Sequence, residues 1–583
     1  MSRLPPTMMP QSDGAGSPPG QSSHSSHSTA VCAWAGAATM FLIHPPADLW
    51  PAAWIAPLPW LALVTSDQLR GRRPWMTLWA AGIGHWLATI HWLRLPHPAT
   101  SIGWVALSTY LGLSLPLFVA VARCLVHRRR WPLVPAAVLA WVSVEQVRGS
   151  FLGGFTFGGL GHTQWRWTTL IQCADAFGAI GVSAVVMAGA AGLAALLVDP
   201  RRSGRMLRWN TGLAGITVAG AVAYGAWRLA EPLPSGPPAL DVLLVQGSID
   251  TELKHDPDAA AAVASHYDGI TRAGLEAGPV DLVVWPETMW RWGLLEIDPA
   301  EPLDEALVER MEGAEPADAD DRVRASRQAR CRQALEQERL DALALYATRY
   351  ATPWLVGVDK QVITSTAPTG ARHFNCALFL DPAGTPLDCY EKMHPVMFGE
   401  YIPLADRFPW LYRLTPLPAG LTAGERPVAV TIAGWRVATN ICYETALPQA
   451  VRSMVRDLTA TGGRPDVIVN LTNDGWFWGS SELDMHLTAA MFRAVEVRTP
   501  VVIAANTGFS ASIDGCGRLL ACGPRRAPAP VRASVTRDGR STPWLMAGSL
   551  PAWICVAVAA ALGLEAVVRG GRRADRSGGM PQA

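Results

Sequence analysis

Two hydrophobic patterns divide the chain. From about 28 to 230, long apolar runs follow one another, separated by short polar connections. They predict seven helical spans near 29–44, 50–65, 75–93, 102–126, 132–147, 168–198 and 209–228. An eighth runs from Leu550 to Val568. Several fall short of the ~20 residues that a straight membrane crossing needs, but so many uncharged runs in series predict a membrane domain. Between the seventh and eighth spans the pattern changes to short apolar runs, which predict strands. These are Leu240–Gln246, Asp281–Trp285, Trp354–Val358, Cys376–Leu380, Val428–Thr439, Val467–Asn470 and Val501–Ala504. Helical patterns near 257–276, 324–350 and 484–498 alternate with them. Apolar strands alternating with helices, with some hairpin-like pairs, predict an α/β layered sandwich.

Charge orients the spans. Arginines cluster after the second (Arg70, Arg72, Arg73), fourth (Arg123, Arg128–Arg130), sixth (Arg201, Arg202, Arg205, Arg208) and eighth (Arg569, Arg572, Arg573, Arg576). Loops after the odd spans are mostly poor in arginine, so the positive-inside rule puts the even ends and both termini in the cytoplasm. The segment between the last two spans then lies outside, in a periplasm-like compartment. The expected organisation is a disordered tail over 1–27, a membrane domain over 28–230 and a stiff Pro-rich linker over 231–238. A soluble domain over 239–548, a last helix over 549–569 and a cytoplasmic tail over 570–583 follow. The first span reads as an anchor, with no cleavable signal evident.

Composition agrees. Half the chain is hydrophobic, the mean hydropathy is +0.16, and 25 tryptophans suit membrane interfaces. A net charge of +1 gives no signal for a polyanionic partner, so no nucleic acid is expected. The ten cysteines form no C-x-x-C pair, which argues against a disulfide framework or a structural metal site. No cofactor is expected.

Two stretches stand apart. Glu145 and Arg148, before the glycine- and phenylalanine-rich stretch 153–159, share one helix face. They suit an orienting ion pair or a lining for lipid. The block 296–330 turns from acidic to arginine-rich and reads as a surface insertion with a helical second half.

Three short stretches carry the chemistry. Glu287 closes Val-Val-Trp-Pro-Glu; Lys392 lies in Tyr-Glu-Lys-Met-His-Pro; Cys442 follows the strand-like run to Ile441, where a parallel sheet exposes side chains to a cleft. A lone cysteine there is equally at home as a small buried residue, Glu287 as a helix cap and Lys392 as a surface lysine. Lysine, however, is scarce: only Lys254, Lys360 and Lys392 occur. A carboxylate can take a thiol proton, and an ammonium with the next backbone N–H can hold an oxyanion. That set suits acyl transfer through a thioester. His394 is the alternative base.

These stretches resemble the three signature segments of the nitrilase (carbon–nitrogen hydrolase) superfamily: Trp-Pro-Glu287, Glu-Lys392 with Phe-Gly-Glu400-Tyr-Ile-Pro, and Asn-Ile-Cys442-Tyr443-Glu444. Asn470-Leu-Thr-Asn473-Asp474-Gly-Trp476-Phe477 and Ala505-Asn506-Thr507-Gly508 fit as well. With the membrane spans, the Trp141…Glu145…Arg148-Gly149 loop and Thr542-Pro543-Trp544, the chain from about 30 to 570 resembles the bacterial apolipoprotein N-acyltransferase family. The resemblance implies an αββα sandwich outside the inner membrane, held by about eight helices. It implies Glu287 as base, Lys392 as oxyanion stabiliser and Cys442 as nucleophile. Glu400, Tyr443, Glu444 and Asn375 match supporting positions. The implied partners are a phospholipid acyl donor, a diacylated lipoprotein acceptor and the bilayer, for a monomeric enzyme. Three features depart from the family pattern: His255 where tryptophan is common, the long charged insertion, and Gly161-His162-Thr163. The rival readings are a membrane-tethered amidase using water and a scaffold with a vestigial site.

Overall fold

The computed structural model describes residues 28–199, 204–234, 238–250, 257–315, 320–367, 369–405, 407–414 and 420–577. The tail 1–27 and the departure at His255 lie outside these residues.

The soluble domain is built on two six-stranded sheets. The first has the order β12-β1-β2-β3-β4-β5: Ala529–Val535, Leu240–Gln246, Leu282–Ile297, Trp354–Ile363, Ala371–Leu380 and Pro386–Glu391. The second runs β11-β10-β9-β8-β7-β6: Leu519–Cys522, Ala511–Ile513, Val501–Ala505, Val467–Thr472, Trp435–Ile441 and Ala429–Ile432. The strands at each centre, β1–β2–β3 and β7–β8–β9, are parallel, and antiparallel strands flank them. Central parallel strands are buried on both faces, which is why they read as continuous apolar runs. Leu244, Val284, Leu355 and Ala377 of one sheet pack on Val437, Ile441, Val469 and Val502 of the other. On the outer face of the first sheet Tyr267, Leu343 and Ala347, from helices Ala260–Glu276 and Asp321–Tyr350, meet Trp285 and Trp354. On the outer face of the second, Val451 and Val455 of helix Pro448–Gly462 and Ala490 and Ala494 of helix Glu482–Val497 meet Ile468 and Ile503. The layers are therefore helix, sheet, sheet, helix. The charged block adds a short helix, Glu305–Glu312, clipped to the long one by Arg330–Glu312.

Helices dominate the remaining part. Among the described residues, Thr100–Arg128, Ala174–Leu197 and Gly204–Ala230 are long and apolar enough to cross a membrane, while Thr29–Leu42 and Leu550–Glu565 are shorter apolar helices. The expected count of eight long spans is thus not reached by length alone. The stretch 50–65 shows one reason: it splits into a 3-10 turn, Trp50–Trp54, and a helix, Leu58–Thr65. Prolines 51, 57 and 59 withhold backbone donors there. The expected span 168–198 bends at Gly178, whose φ is +69°. The last helix continues to Ser577, into the segment expected to be a tail. Close helix approach comes from small residues such as Ala136, Ala137, Ala140, Ala190 and Ala194, all fully buried.

The two parts are fastened by buried polar groups. Asp175, at the start of helix Ala174–Leu197, accepts from Arg228 Nε (2.6 Å) and Tyr224 Oη (2.5 Å) of the neighbouring helix. It also accepts from Arg498 Nη2 (2.6 Å) of the soluble domain. Glu496 accepts from Ala179 N–H at 2.9 Å. An uncompensated charge here is costly, so breaking one partner costs about 3–5 kcal/mol.

Candidate active site

Glu287 is turned out of the ladder by a break in its own strand. Trp285 pairs with Val356 and Trp290 with Val358, so β2 advances five residues while β3 advances two. The surplus, around Pro286, Glu287 and Thr288, bulges out of the ladder, and Thr288 takes a left-handed φ of +54°. Proline cannot donate to a ladder, so the bulge begins at Pro286. Gly357 lies beneath it, where a Cβ would stand 2.2 Å from Pro286 O and 2.6 Å from Glu287 Cα. The Glu287 carboxylate is buried and accepts from Asn375 Nδ2 (2.6 Å) and Asn473 N–H (2.9 Å).

Cys442 sits at the end of β7, at the first residue of a 3-10 turn, Cys442–Ala446. Its φ is +52°, a conformation that costs a non-glycine residue about 1–3 kcal/mol and persists only when surroundings impose it. Two donors on its carbonyl do so: Asn470 Nδ2 at 3.1 Å and His486 Nε2 at 3.2 Å. Burial pushes the Cys442 thiol well up; the Glu287 carboxylate adds to this and the Lys392 ammonium opposes it.

Lys392 follows β5 and is 1% exposed. Its Nζ donates to Glu400 Oε1 at 2.7 Å and lies 3.6 Å from Glu287 Oε1. Burial works against its charge, but Glu400, Glu287 and Cys442 together raise its pKa above the ordinary lysine value. Glu400 is itself held by Val396 N–H at 2.7 Å. The structure therefore brings Glu287, Lys392, Cys442, Glu400 and Asn375 together.

Tyr443 and Glu444 point elsewhere. Tyr443 Oη donates to Gly154 O at 2.7 Å, and its ring packs on Phe157, so it joins the nucleophile turn to the glycine-rich membrane loop. Thr156 reinforces that joint through Ala446 O (2.7 Å). Glu444 turns inward. It accepts from Ile441 N–H (2.7 Å), Met393 N–H (2.8 Å), His394 N–H (2.9 Å) and Tyr390 Oη (2.8 Å to each oxygen). It clips the nucleophile turn to the segment after Lys392. His394 Nδ1 lies 3.4 Å from Glu444 Oε1, a contact with the clip rather than with the thiol.

Residues 36–192 match the pattern described as the apolipoprotein N-acyltransferase N-terminal domain, and residues 244–536 match carbon-nitrogen hydrolase. An apolipoprotein N-acyltransferase of Caulobacter vibrioides is 30% identical over 458 residues, covering 76% of each chain. The chain belongs to the apolipoprotein N-acyltransferase family of carbon–nitrogen hydrolases. A family relative of the same name from Rhodopirellula baltica is 29% identical over 553 residues, covering 88% of this chain and 93% of that one. An amidase from Nesterenkonia sp. overlays with a TM-score of 0.33 at 15% identity, covering 54% of this chain and 95% of that one.

Within this family frame, Glu145 and Arg148 form no ion pair with each other among the described residues. Glu145 Oε1 accepts from Leu160 N–H at 2.9 Å, while the Arg148 guanidinium lies over the Trp86 ring at 4.9 Å. Both line a cavity of about 300 Å³ that also reaches His394 and Pro448 of the soluble domain. Sequence reasoning missed His486 and Glu482. With Asp474 they form a buried cluster behind Cys442. The available signal was a histidine and a glutamate in one helical pattern directly after Asn-Asp-Gly-Trp, which proximity in sequence alone does not aim at the nucleophile.

Proposed function

We propose that this chain transfers an acyl chain from a membrane phospholipid to the α-amine of the N-terminal diacylglyceryl-cysteine of lipoproteins. The observation that carries the reading is the fully buried Lys392 ammonium held between Glu287 and Glu400 beside Cys442. A carboxylate and an ammonium 3.6 Å apart, both acting electrostatically on the thiol, supply base, oxyanion partner and nucleophile. Membership of a family whose relatives carry the acyltransferase name supports the substrates.

In the first step the Cys442 sulfur bonds to the ester carbonyl carbon as Glu287 takes the thiol proton. Lys392 and the Tyr443 N–H hold the oxyanion. The tetrahedral adduct expels the glycerol oxygen, which receives that proton, and a lysophospholipid leaves. In the second step the lipoprotein amine attacks the thioester carbonyl. One amine proton passes to Glu287 and on to the departing sulfur, and an amide remains. Glu400 and Asn375 hold Lys392 and Glu287; Glu444 positions the segment that bears Lys392. No metal or cofactor is called on.

The reading includes the topology expected from the arginine clusters: eight spans in an inner membrane and the sandwich on the periplasmic side. The cavity at Glu145, Arg148 and His394 supports lateral entry of lipid, because it is lined by the helical part and by Leu447 and Pro448, directly after the nucleophile turn. Every group the chemistry uses comes from one chain. The test is incubation of the detergent-solubilised protein with phospholipid and a synthetic diacylated lipopeptide, followed by mass spectrometry. The expected product is the lipopeptide with one more acyl group on its amine. Free fatty acid with unchanged lipopeptide, or ammonia from simple amides, would instead establish a membrane-tethered hydrolase using water.

A further inference from the structure

His486 occupies a position that the chemistry above leaves unused. It lies on helix Glu482–Val497, is 3% exposed, and places both ring nitrogens against oxygens. Nδ1 is 3.2 Å from Asp474 Oδ1, and Nε2 is 3.2 Å from Cys442 O. A carboxylate and a carbonyl only accept, so a neutral ring, with one N–H, would set a lone pair against one of them. The doubly protonated ring satisfies both. Thr472 Oγ1 donates to the same Asp474 oxygen at 2.7 Å, which fixes the carboxylate.

The charge has a direction. The Cys442 carbonyl and the Tyr443 N–H belong to one peptide group, and among the described residues the only cis bond is Pro45–Pro46. In a trans peptide the C=O and N–H point to opposite sides. With the carbonyl turned inward onto His486 and Asn470, the N–H is turned outward. At the start of the 3-10 turn it has no partner within that turn. Withdrawing electron density from the carbonyl oxygen makes the N–H of the same peptide a stronger donor, as in any chain of polarised hydrogen bonds.

We propose that His486, held as an imidazolium by Asp474, is a positioning residue that polarises the Cys442–Tyr443 peptide and arms the Tyr443 N–H as an oxyanion donor. This role rests on the acyl-transfer reading. Three groups face the ring: the Asp474 carboxylate, the Glu482 carboxyl on its own helix, and the Cys442 carbonyl. Burial works against the ring's charge, but Asp474 outweighs it and holds the pKa up at about 9. Burial, with Asp474 beside it, raises the Glu482 carboxyl well above its ordinary value. The imidazolium is present below about pH 9 and is lost above it.

The test uses the full-length solubilised protein and a 4-nitrophenyl ester of a short fatty acid, whose acylation burst needs neither phospholipid nor lipopeptide. Wild type is expected to burst at a rate that falls as pH rises through about 9. His486→Gln keeps a neutral donor near the carbonyl; its burst should slow about tenfold or more, with KM nearly unchanged and the alkaline fall gone. Asp474→Asn leaves the ring in place but removes the carboxylate that charges it, and should reproduce both effects. Bursts in both variants within about twofold of wild type, or an alkaline fall retained in His486→Gln, would overturn the role. A wild-type protein with no burst would overturn the acyl-transfer reading itself and this role with it.

Discussion

Replacing Glu444 by glutamine is expected to disable the site without touching any reacting group. The carboxylate offers two oxygens to four donors besides His394 Nδ1: Ile441 N–H, Met393 N–H, His394 N–H and Tyr390 Oη. Glutamine retains one oxygen. Its better orientation keeps that oxygen toward Met393, His394 and Tyr390, which turns the new NH2 toward the Ile441 N–H. One hydrogen bond to a charged acceptor is lost, worth about 1.5–3 kcal/mol, and two buried donors then face each other, costing about 1–3 kcal/mol more. The damage falls at Ile441, the residue preceding Cys442, and shifts the nucleophile relative to Lys392. A displacement of about 1 Å between such groups costs on the order of 100-fold in rate. Glu444→Gln should therefore lose about 100-fold in acyl-enzyme formation, read as the burst with a soluble ester, and should unfold at lower temperature. The pH dependence has a definite sign. Burial alone would raise this carboxyl, but His394, the Ile441 N–H and Lys392 bring it below its ordinary value. Its contribution to stability is thus complete above the ordinary carboxyl range and is lost as pH falls through the lowered folded value. A Glu444→Gln protein that acylates at the wild-type rate would refute the clip.

Three further outcomes follow from the same geometry. Cys442→Ser should form no thioester, and incubation with radiolabelled phospholipid should leave at least about 100-fold less acyl on the protein; label at the wild-type rate would remove Cys442 as nucleophile. Gly357→Ala places a methyl 2.2 Å from Pro286 O, so the bulge bearing Glu287 must shift. It should cost about 1–3 kcal/mol in thermal or denaturant unfolding and slow the burst, whereas an unchanged variant would show the bulge to be free to move. Tyr443→Phe removes only the hydroxyl that reaches Gly154 O, about 1 kcal/mol of the joint between the two parts. Acylation by phospholipid should fall more than acylation by a soluble ester, and equal falls would argue against a role for that joint in lipid delivery.

What was legible in the sequence follows from where order is local. The parallel strands β1, β8 and β9 and the first half of β3 read correctly because burial on both faces leaves an uninterrupted apolar run. The placement of Cys442 at a strand end was readable for the same reason. Strand β2 was cut short at Trp285 because Pro286, Glu287 and Thr288 interrupt the run. In the structure that interruption is a bulge, and the strand resumes to Ile297. The stretch 428–439 read as one strand but folds as a hairpin turning at Ala433 and Gly434. Strand β12 was missed because its partner, β1, lies far away in sequence, with Leu240 opposite Val535. The direction of Glu444 was not legible either: it depends on the left-handed Cys442, which starts the turn that aims Glu444 inward. His486 needed the packing of helix Glu482–Val497 against the nucleophile turn, a contact between elements 44 residues apart.

These charges also explain why the nucleophile needs its base at the moment of attack. Lys392 alone would lower the Cys442 thiol, but its ammonium is shared with Glu400 at 2.7 Å and Glu287 at 3.6 Å. Two carboxylates around one cation leave little positive field for the sulfur, and burial then decides in favour of the thiol. Under the proposed chemistry the resting enzyme is therefore a thiol rather than a thiolate–ammonium pair. Attack and proton transfer to Glu287 occur together, once an ester carbonyl is in place to become the oxyanion. As negative charge moves from Glu287, which gains the proton, to the substrate oxygen, Lys392 exchanges one anionic partner for another without leaving its bond to Glu400. The arrangement favours the transition state over the ground state, which is the condition for a site to accelerate its reaction rather than only bind.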